Sequence, residues 1–323
     1  MRIAVDAAGG EYAPHEIVKG AIKASQEYEV ELVLVGRKDI LHVHAGRHLR
    51  KEDISIVEAS QIIECRESPM KAVQSKPDSS IVVGINLVRD GKASAFISAG
   101  NTGAVVCATL LNLGKAEGVE RPALGCILDI SSSPTFLVDA GANVDCRPSH
   151  LVEFARLGST YFEEVLGISS PRVSLLNNGE EPTKGNRLIR ESYKLLKETD
   201  LNFVGNVEGQ DVPKGKADII VTDGFTGNIV IKTIEGLSDT LQSSVRQAGI
   251  TLSSALLRDI GLGSWAKRID YREYGGACLL GINGTVIISH GRSQSRAIKN
   301  AIRLAKQTVA REFSQTAKED SNE

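Results

Sequence analysis

Residues 217–236, ADIIVTDGFTGNIVIKTIEG, decide the fold class. A continuous apolar run ends in the small polar residues Thr222, Asp223 and Gly224, and a helix-like segment follows. A strand with no alternation of polar and apolar residues is typical of a parallel sheet buried on both faces. The same order recurs after IAVDA (3–7), ASAFISAG (93–100), TFLVDAG (135–141) and RVSLLNNG (172–179). The sequence therefore predicts an α/β fold with a mostly parallel sheet and helices on both faces.

Composition and charge exclude several classes of protein. With 41% hydrophobic residues, the chain of 323 residues is not disordered, and a formal net charge of −2 disfavours a general nucleic-acid binder. The start, MRIAVDAAGG, lacks the long apolar region of a signal peptide, so we expect none there, and no apolar run of 18 residues occurs in the sequence. The five cysteines form no CxxC pair, and the apolar neighbours of Cys107 and Cys126 indicate buried free thiols and hence a reducing compartment. We therefore expect a cytoplasmic protein.

No linker-like tract divides the chain. We predict one composite α/β domain over residues 1–313 and a disordered tail at 314–323.

Small polar loops follow five of the strands and would share one edge of the sheet, where such folds bind ligands. Glycine allows backbone N–H groups to approach an anion, and a following helix adds its dipole. A single loop of this kind is more often an ordinary turn, but five together favour a phosphate-binding floor. The candidate phosphate-binding residues are Asp6, Gly9, Gly10, Gly100, Asn101, Thr102, Gly103, Asp139, Asn143, Asp223, Thr226 and Gly227.

Other common catalytic signatures are absent from the sequence. There is no GxGxxG after a strand, no GxxxxGK[ST], no GxSxG and no HExxH. His42, His44 and His48 cluster among basic residues, which is more typical of a solvated surface than of a metal site. The strand-end aspartates could bind Mg²⁺, but they more often cap helices. We predict no metal and no cofactor.

Without a nucleophile motif, the chain would position two substrates and stabilise an oxyanion. Lys184, in a loop that opens a helix, is the candidate catalytic cation, and Asn228 is the candidate neutral donor. The alternatives are an ordinary exposed lysine and a helix-start asparagine that bonds only to local backbone.

The chain resembles the acyl-acyl-carrier-protein:phosphate acyltransferases of bacterial phospholipid synthesis over nearly its whole length. The motifs that carry the resemblance are VDAAGGEYAP (5–14), SAGNTGA (98–104), ERPAL (120–124), DAGANVD (139–145), SPRVSLLNNGEEPTKGN (170–186), VEGQD (207–211), TDGFTGNIVIKTIEG (222–236) and YGGACLLGINGTVIISHGRS (274–293). The resemblance implies a Rossmann-like fold similar to isopropylmalate dehydrogenases and phosphotransacetylases. It also implies a homodimer that converts acyl-acyl-carrier protein and inorganic phosphate to acyl phosphate. Lys184 and Asn228 would then stabilise the oxyanion or fix the phosphate.

The chain departs from the family pattern at a few positions. Ala8 and Glu11 stand where Met and Asp are usual, and Gln74, Ser75 and Pro77 stand where basic residues are usual. We expect the second departure to weaken phosphate or carrier-protein binding, if that segment contributes to it.

The resemblance also implies partners. It implies that the domain over residues 1–313 is catalytic and that a glycerol-3-phosphate acyltransferase uses the product. It also implies a helical projection at 248–272, before the YGG motif, that would contact the membrane peripherally. Leu252, Leu256 and Ile260 recur every four residues there, although the same stripe could pack in a dimer or a core. A basic stripe that includes Arg296 and Arg303 could dock the acidic carrier protein, or could simply be a solvated face.

Three alternative functions remain open at the level of sequence. A phosphotransacetylase that uses short acyl-CoA could be built on the same loops, as could a non-catalytic regulatory protein that binds an anion or a nucleotide. A dehydrogenase is disfavoured because the dinucleotide fingerprint is missing.

Overall fold

The computed structural model describes residues 1–46, 48–51, 53–128, 130, 134–247 and 270–319. The strands are β1 (Arg2–Asp6), β2 (Glu31–Gly36), β3 (Ile54–Glu58), β4 (Ala95–Ser98), β5 (Ala123–Leu128), β6 (Thr135–Val138), β7 (Val173–Asn177), β8 (Phe203–Glu208), β9 (Ile219–Val221), β10 (Ala277–Leu280) and β11 (Thr285–Ile288). The helices are α1 (His15–Tyr28), α2 (Lys38–Ala45), α3 (His48–Lys51), α4 (Pro69–Ser75), α5 (Ser80–Arg89), α6 (Thr102–Asn112), α7 (Pro148–Tyr161), α8 (Arg187–Lys197), α9 (Gly224–Gln247) and α10 (Ser295–Glu319).

The chain divides into two compact units. The first unit comprises Met1–Pro122 and Gly275–Glu323, and the second comprises Ala123–Tyr274. The sequence-based proposal of one composite catalytic domain over residues 1–313 stays a prediction.

In the first unit, the strand order is β3-β2-β1-β4-β11-β10. All neighbours are parallel except β10, which runs antiparallel to β11. Every residue of β4 is buried, so both faces of the sheet are covered. Phe96 lies against Gly84 of α5, and the alternation of side chains turns Ala95 and Ile97 to the opposite face. Helix α10 packs on β4 and on α1.

In the second unit, the strand order is β5-β6-β9-β7-β8. Strand β5 is antiparallel to β6, and the other pairs are parallel. Phe136 of β6 stacks on Tyr161 with ring centroids 5.0 Å apart, which packs the end of α7 onto the sheet. A second group of buried apolar residues, including Leu137, Leu176 and Ile220, packs against one side of α9. The prediction of a mostly parallel α/β sheet with helices is confirmed.

Several local expectations differ from the structure. We expect Leu188, Tyr193, Leu195 and Leu196 to form the inward face of α8, but Leu195 is 41% exposed, whereas Ile189 is buried beside Ser192 and Leu196. The buried positions 189, 192 and 196 keep the i, i+3, i+7 spacing of one helix face, which position 195 does not share.

The last helix, expected to end at residue 313, continues to Glu319, so residues 314–319 are helical where a disordered tail was predicted. Their sequence, SQTAKE, contains neither glycine nor proline, and polar residues of good helix propensity can extend an exposed helix.

Cys107 and Cys126 are less buried than expected, since both are half-buried. Of the other three cysteines, Cys278 is buried and Cys146 is half-buried, whereas Cys65, in the loop between β3 and α4, is exposed.

No helix in the described ranges is long and apolar enough to cross a membrane. Leu252, Leu256 and Ile260, on which the interfacial helix was predicted, lie outside the described residues.

Candidate functional site

Asp6 ends β1 and organises the loop that follows it. Its side chain is buried, and Oδ1 accepts hydrogen bonds from the N–H groups of Ala8, at 3.1 Å, and Gly9, at 2.9 Å. Oδ2 accepts the hydroxyl of Ser98 at 2.6 Å, and that hydroxyl oxygen accepts the Gly100 N–H at 3.0 Å. Because β1 and β4 are parallel neighbours, their ends meet, and Asp6 joins the two loops.

Gly9 is required by this close approach of two loops. A Cβ on Gly9 would collide with Asp6 Oδ2 and would lie 2.9 Å from Gly100 Cα. Gly10 has φ of +108°, a conformation that favours glycine. These glycines therefore serve the packing of the loops.

Asn101 is committed to the scaffold. Its Oδ1 accepts the Ala104 N–H at 3.0 Å and caps α6, while Nδ2 donates to the carbonyls of Glu64, Cys65 and Glu67 at 3.1–3.3 Å. The next two residues differ, because the N–H groups of Thr102 and Gly103 make no hydrogen bond with the described part of the chain. They are open donors at the N-terminus of an 11-residue helix.

Asp139 ends β6 and is the counterpart of Asp6 in the second unit. The buried carboxylate accepts backbone N–H groups from Leu124, Gly141 and Ala142 on Oδ1, at 2.9–3.1 Å. Its Oδ2 accepts the backbone N–H and the side-chain amide of Asn143, at 2.7 and 2.8 Å. The donors of this loop thus bind the protein's own carboxylate.

Burial governs the ionisation of both aspartates. Desolvation raises the pKa of Asp6 above its usual 3.8, against the lowering effect of the Ser98 hydroxyl and the loop N–H groups. Desolvation likewise raises the pKa of Asp139, against its bonds from Ala142 and Asn143.

Asp223 caps α9. Its Oδ1 accepts the Thr226 N–H and its Oδ2 accepts the Thr226 hydroxyl, both at 2.8 Å. Gly227 lies so close to the carbonyl oxygen of Asp139 that a Cβ would collide with it. Thr226 and Gly227 therefore fix the start of α9 against the Asp139 loop.

Asn228 is exposed one residue further along α9. A Cβ built on Gly141 would lie 2.9 Å from Asn228 Nδ2, so the amide borders the Asp139 loop. The side chain makes no hydrogen bond with any residue that the structure describes. Its amide is therefore available as a hydrogen-bond donor, and its catalytic role stays a prediction.

Lys184 lies in the loop between β7 and α8 and is exposed. Its N–H donates to the Glu181 carbonyl at 3.1 Å, whereas its ammonium has no hydrogen bond or ion pair within the described ranges. Asn186, two residues later, caps α8 by accepting the Ile189 N–H at 2.9 Å. Lys184 therefore lies on a loop whose end is fixed by the cap of α8.

Three residues outside the predicted site list hold this loop. Asn177 Nδ2 donates to the Gly179 carbonyl at 3.0 Å, and Asn206 Nδ2 donates to the Glu181 carbonyl at 3.2 Å. Lys216 Nζ bridges Glu180, at 2.6 Å, and the buried Asp211, at 3.0 Å. Asn177 belongs to one of the five polar loops expected from the sequence, whereas Asn206 and Lys216 were missed because they carry no sequence signal.

The predicted residues fall into two groups. Asp6, Gly9, Gly10 and 100–103 lie at the carboxyl edge of the first unit's sheet. The residues Asp139, Asn143, Lys184, Asp223, Thr226, Gly227 and Asn228 lie at that of the second, where Val138 and Leu175 both pair with Val221. Within each unit, the structure brings the predicted loops together.

Comparison with known proteins identifies the family. A family model described as "Fatty acid synthesis protein" matches residues 1–316. The chain belongs to this family. A phosphate acyltransferase of Dehalococcoides mccartyi is 55% identical over 99% of this chain and 94% of its own length. One from Pelotomaculum thermopropionicum is 46% identical over 96% of this chain and 92% of its own length. The chain is accordingly an enzyme of acyl transfer.

Solved structures share the fold of this family member. A phosphotransacetylase from Streptococcus pyogenes matches 96% of this chain and 94% of its own with a TM-score of 0.62 and 17% identity. A branched-chain phosphotransacylase from Enterococcus faecalis matches 95% of this chain and 99% of its own with a TM-score of 0.59 and 16% identity. At these identities, the likeness shows the fold alone.

Two other predicted regions are partly structural. On α10, Arg296 and Arg303 are exposed, but Lys299 pairs with Glu27 at 2.7 Å and Lys306 donates to the Tyr28 carbonyl, so these two lysines pack α10 on α1. Gln74 and Ser75 end α4, where Lys76 pairs with Glu67 at 2.6 Å.

The three clustered histidines lie on two short helices. His42 and His44 lie on α2, and His48 lies on α3. No group of three or more metal-ligating side chains occurs within the ranges that the structure describes.

Proposed function

We propose that this chain transfers an acyl group from an acyl-carrier-protein thioester to inorganic phosphate. A phosphate oxygen attacks the thioester carbonyl carbon, and a C–O bond forms. The C–S bond breaks, and the carrier thiolate leaves and takes up a proton. The reaction needs no enzyme nucleophile, because phosphate supplies the attacking atom and the thioester its own leaving group.

The observation that carries this proposal is the pair of unpartnered donors on the edge of the second unit. The Lys184 ammonium and the Asn228 amide both lack hydrogen bonds in the described structure, while the polar side chains of Asp139, Asp223 and Thr226 at the same edge of the sheet are engaged. Fixed donors aimed at developing negative charge are the usual means of stabilising an oxyanion. Lys184 and Asn228 fit that role.

Fewer residues are suited to bind phosphate than the sequence suggests. Asp6 and Asp139 accept several N–H groups of their own loops, so these two residues act as scaffold. The N–H groups that stay without a partner in the described structure include those of Thr102 and Gly103, at a helix terminus whose dipole favours an anion. Within the first unit, these two residues are the candidates for binding an anion.

The test is a turnover assay with palmitoyl-acyl carrier protein and inorganic phosphate. The free carrier thiol is followed, and acyl phosphate is trapped with hydroxylamine. Thiol release that depends on phosphate and yields hydroxamate supports the proposal. Turnover of acyl-CoA alone would assign the phosphotransacetylase alternative, and phosphate binding without turnover of either donor would assign the regulatory alternative.

The partners follow from the same proposal. The acidic carrier protein docks where Arg296 and Arg303 are exposed, and a glycerol-3-phosphate acyltransferase consumes the acyl phosphate. A homodimer accounts for the exposed apolar side chains of Ile229, Leu237 and Leu241, which recur at multiples of four along α9. We assign peripheral membrane contact to residues 248–269, which lie outside the described residues.

A further inference from the structure

A small, mostly apolar cavity lies beside the Asp6 loop in the first unit. Its volume is about 80 Å³, and it is partly open to solvent. The loop after β1, the end of β2 and the first turn of α2 contribute to its lining, which includes Ala7, Ala8, Ala13, Gly36, Leu41 and Ile62. Leu41 is buried, whereas Ile62 is 42% exposed. An apolar side chain left open at such a place would be covered by an apolar ligand.

Small residues keep this cavity open. Gly36 shows this best. Its φ lies outside the region that favours glycine, and a Cβ there would make only ordinary van der Waals contacts, the nearest with Leu41 Cδ1 at 3.4 Å. Gly9, by contrast, cannot carry a Cβ without collision. Neither the backbone conformation nor the packing requires glycine at position 36. The glycine instead leaves space between Leu41 and Ala8 that a side chain would fill.

The charge in the lining is neutralised. Arg37 lines the cavity, but its guanidinium bonds to the Asp39 carboxylate at 2.7 and 3.3 Å. The Arg37 bond also holds the pKa of Asp39 below its usual value, so the pair stays ionic at neutral pH. A ligand that needs many polar partners, such as a nucleotide, finds few here.

We propose that this cavity binds a short stretch of the aliphatic chain of the acyl donor, and that Gly36 and Ala8 determine how many methylenes it admits. This inference rests on the proposed function, since only a substrate with an aliphatic chain would use the site. Ala8 is followed directly by Gly9 and Gly10, so the apolar cavity adjoins the polar loop that Asp6 organises. Each buried methylene contributes about a fourfold gain in binding.

Two substitutions test the cavity. Gly36→Ala adds one methyl group without collision, and Ala8→Val adds two while leaving the backbone N–H bond to Asp6 in place. We expect the ratio of kcat/KM for palmitoyl over butyryl donors to fall about fourfold in Gly36→Ala and about fifteenfold in Ala8→Val. The KM for phosphate should stay unchanged.

Gly236→Ala is the matched control, because a Cβ at Gly236 meets nothing within 4 Å. Its ratio should equal that of the unmodified protein. If both cavity variants turn over both donors with an unchanged ratio, or lose both equally, the cavity does not bind the chain. If the unmodified protein releases no thiol with either donor, the proposed function itself fails. Gly36→Ala alone carries the test should Ala8→Val fail to fold.

Discussion

Asp6 and Asp139 end equivalent strands, yet their oxygens are used differently. Asp6 Oδ2 faces the Ser98 hydroxyl, which can either donate or accept. Asp139 faces N–H donors on both oxygens. An amide in place of the carboxylate can therefore be accommodated at position 6 but not at position 139.

We expect Asp6→Asn to lower the free energy of unfolding by about 1 kcal/mol and Asp139→Asn by about 3 kcal/mol. The larger loss follows because the new NH₂ group would face two hydrogen-bond donors of Asn143. Denaturant titration of both variants measures the difference. Equal losses would mean that the hydrogen-bond geometry around Asp139 does not matter.

The stability difference between the unmodified protein and Asp6→Asn should depend on pH. The pKa of Asp6 is raised in the folded state, so its stabilising contribution is full below the unfolded value of 3.8 and is lost as pH rises through the folded pKa. On acidification, the free energy of unfolding of the unmodified protein should therefore increase relative to that of Asp6→Asn. Denaturant titrations of both proteins at pH 3 and pH 7 measure this difference. A larger stability advantage of the unmodified protein at pH 7 than at pH 3 would contradict the prediction.

Lys184→Ala should lower kcat/KM at least about 100-fold, as expected for the loss of a charge that stabilises an oxyanion. The thermal midpoint should not move, because the exposed ammonium has no partner within the described residues. Lys194→Ala, which removes an exposed lysine of α8, is the control and should retain full turnover. Near-normal turnover of Lys184→Ala would remove this residue from the mechanism.

At the scale of elements, two asparagines cap the starts of helices but make different numbers of hydrogen bonds. Asn186 accepts one N–H at the start of α8, whereas Asn101 caps α6 and also donates to three carbonyls of the segment before α4. The second cap ties a loop to a helix in addition to starting the helix.

Asn186→Ala should reduce stability by about 1 kcal/mol, the usual cost of a lost cap. Asn101→Ala should cost about 3 kcal/mol, because three carbonyls lose their donor as well. Chemical denaturation of the two variants provides the comparison. If Asn101→Ala were no worse than Asn186→Ala, solvent would be satisfying those carbonyls.

At the scale of the whole molecule, α9 carries apolar side chains on two faces, and in the described structure one of these faces is exposed. Val230, Ile231 and Ile234 pack against the buried cluster of the second unit, while Leu237 and Leu241 are 58% and 44% exposed. A second copy of the chain would cover the exposed positions.

Sedimentation of the unmodified chain should accordingly give a mass about twice the 34.6 kDa of one copy. Leu237→Glu combined with Leu241→Glu should shift it to a monomer, because charges would be buried in the interface. Lys232→Glu, which changes charge on the same helix, serves as the control. A dimer that survives the double substitution would place the interface elsewhere.

The strand-to-helix order was readable because a buried parallel strand needs a continuous apolar run, as in 217–221 or 135–138. The antiparallel strands β5 and β10 were not predicted, nor was β8, in which Val204 is 50% exposed and the pattern is weak. The direction of a strand depends on its neighbour, and a half-exposed strand carries little periodicity.

The sequence by itself determined the fold class, the family and the loops in which the candidate site residues lie, because apolar periodicity and ordered motifs are properties of the chain. The tertiary structure decided which donors those loops leave open. Asp6, Asp139 and Asn101 consume neighbouring hydrogen-bonding groups, and Asn206 and Lys216 reach the Lys184 loop from distant sequence positions. A hydrogen-bond donor is used or free only according to what folding brings within about 3 Å of it, and sequence spacing does not record that distance.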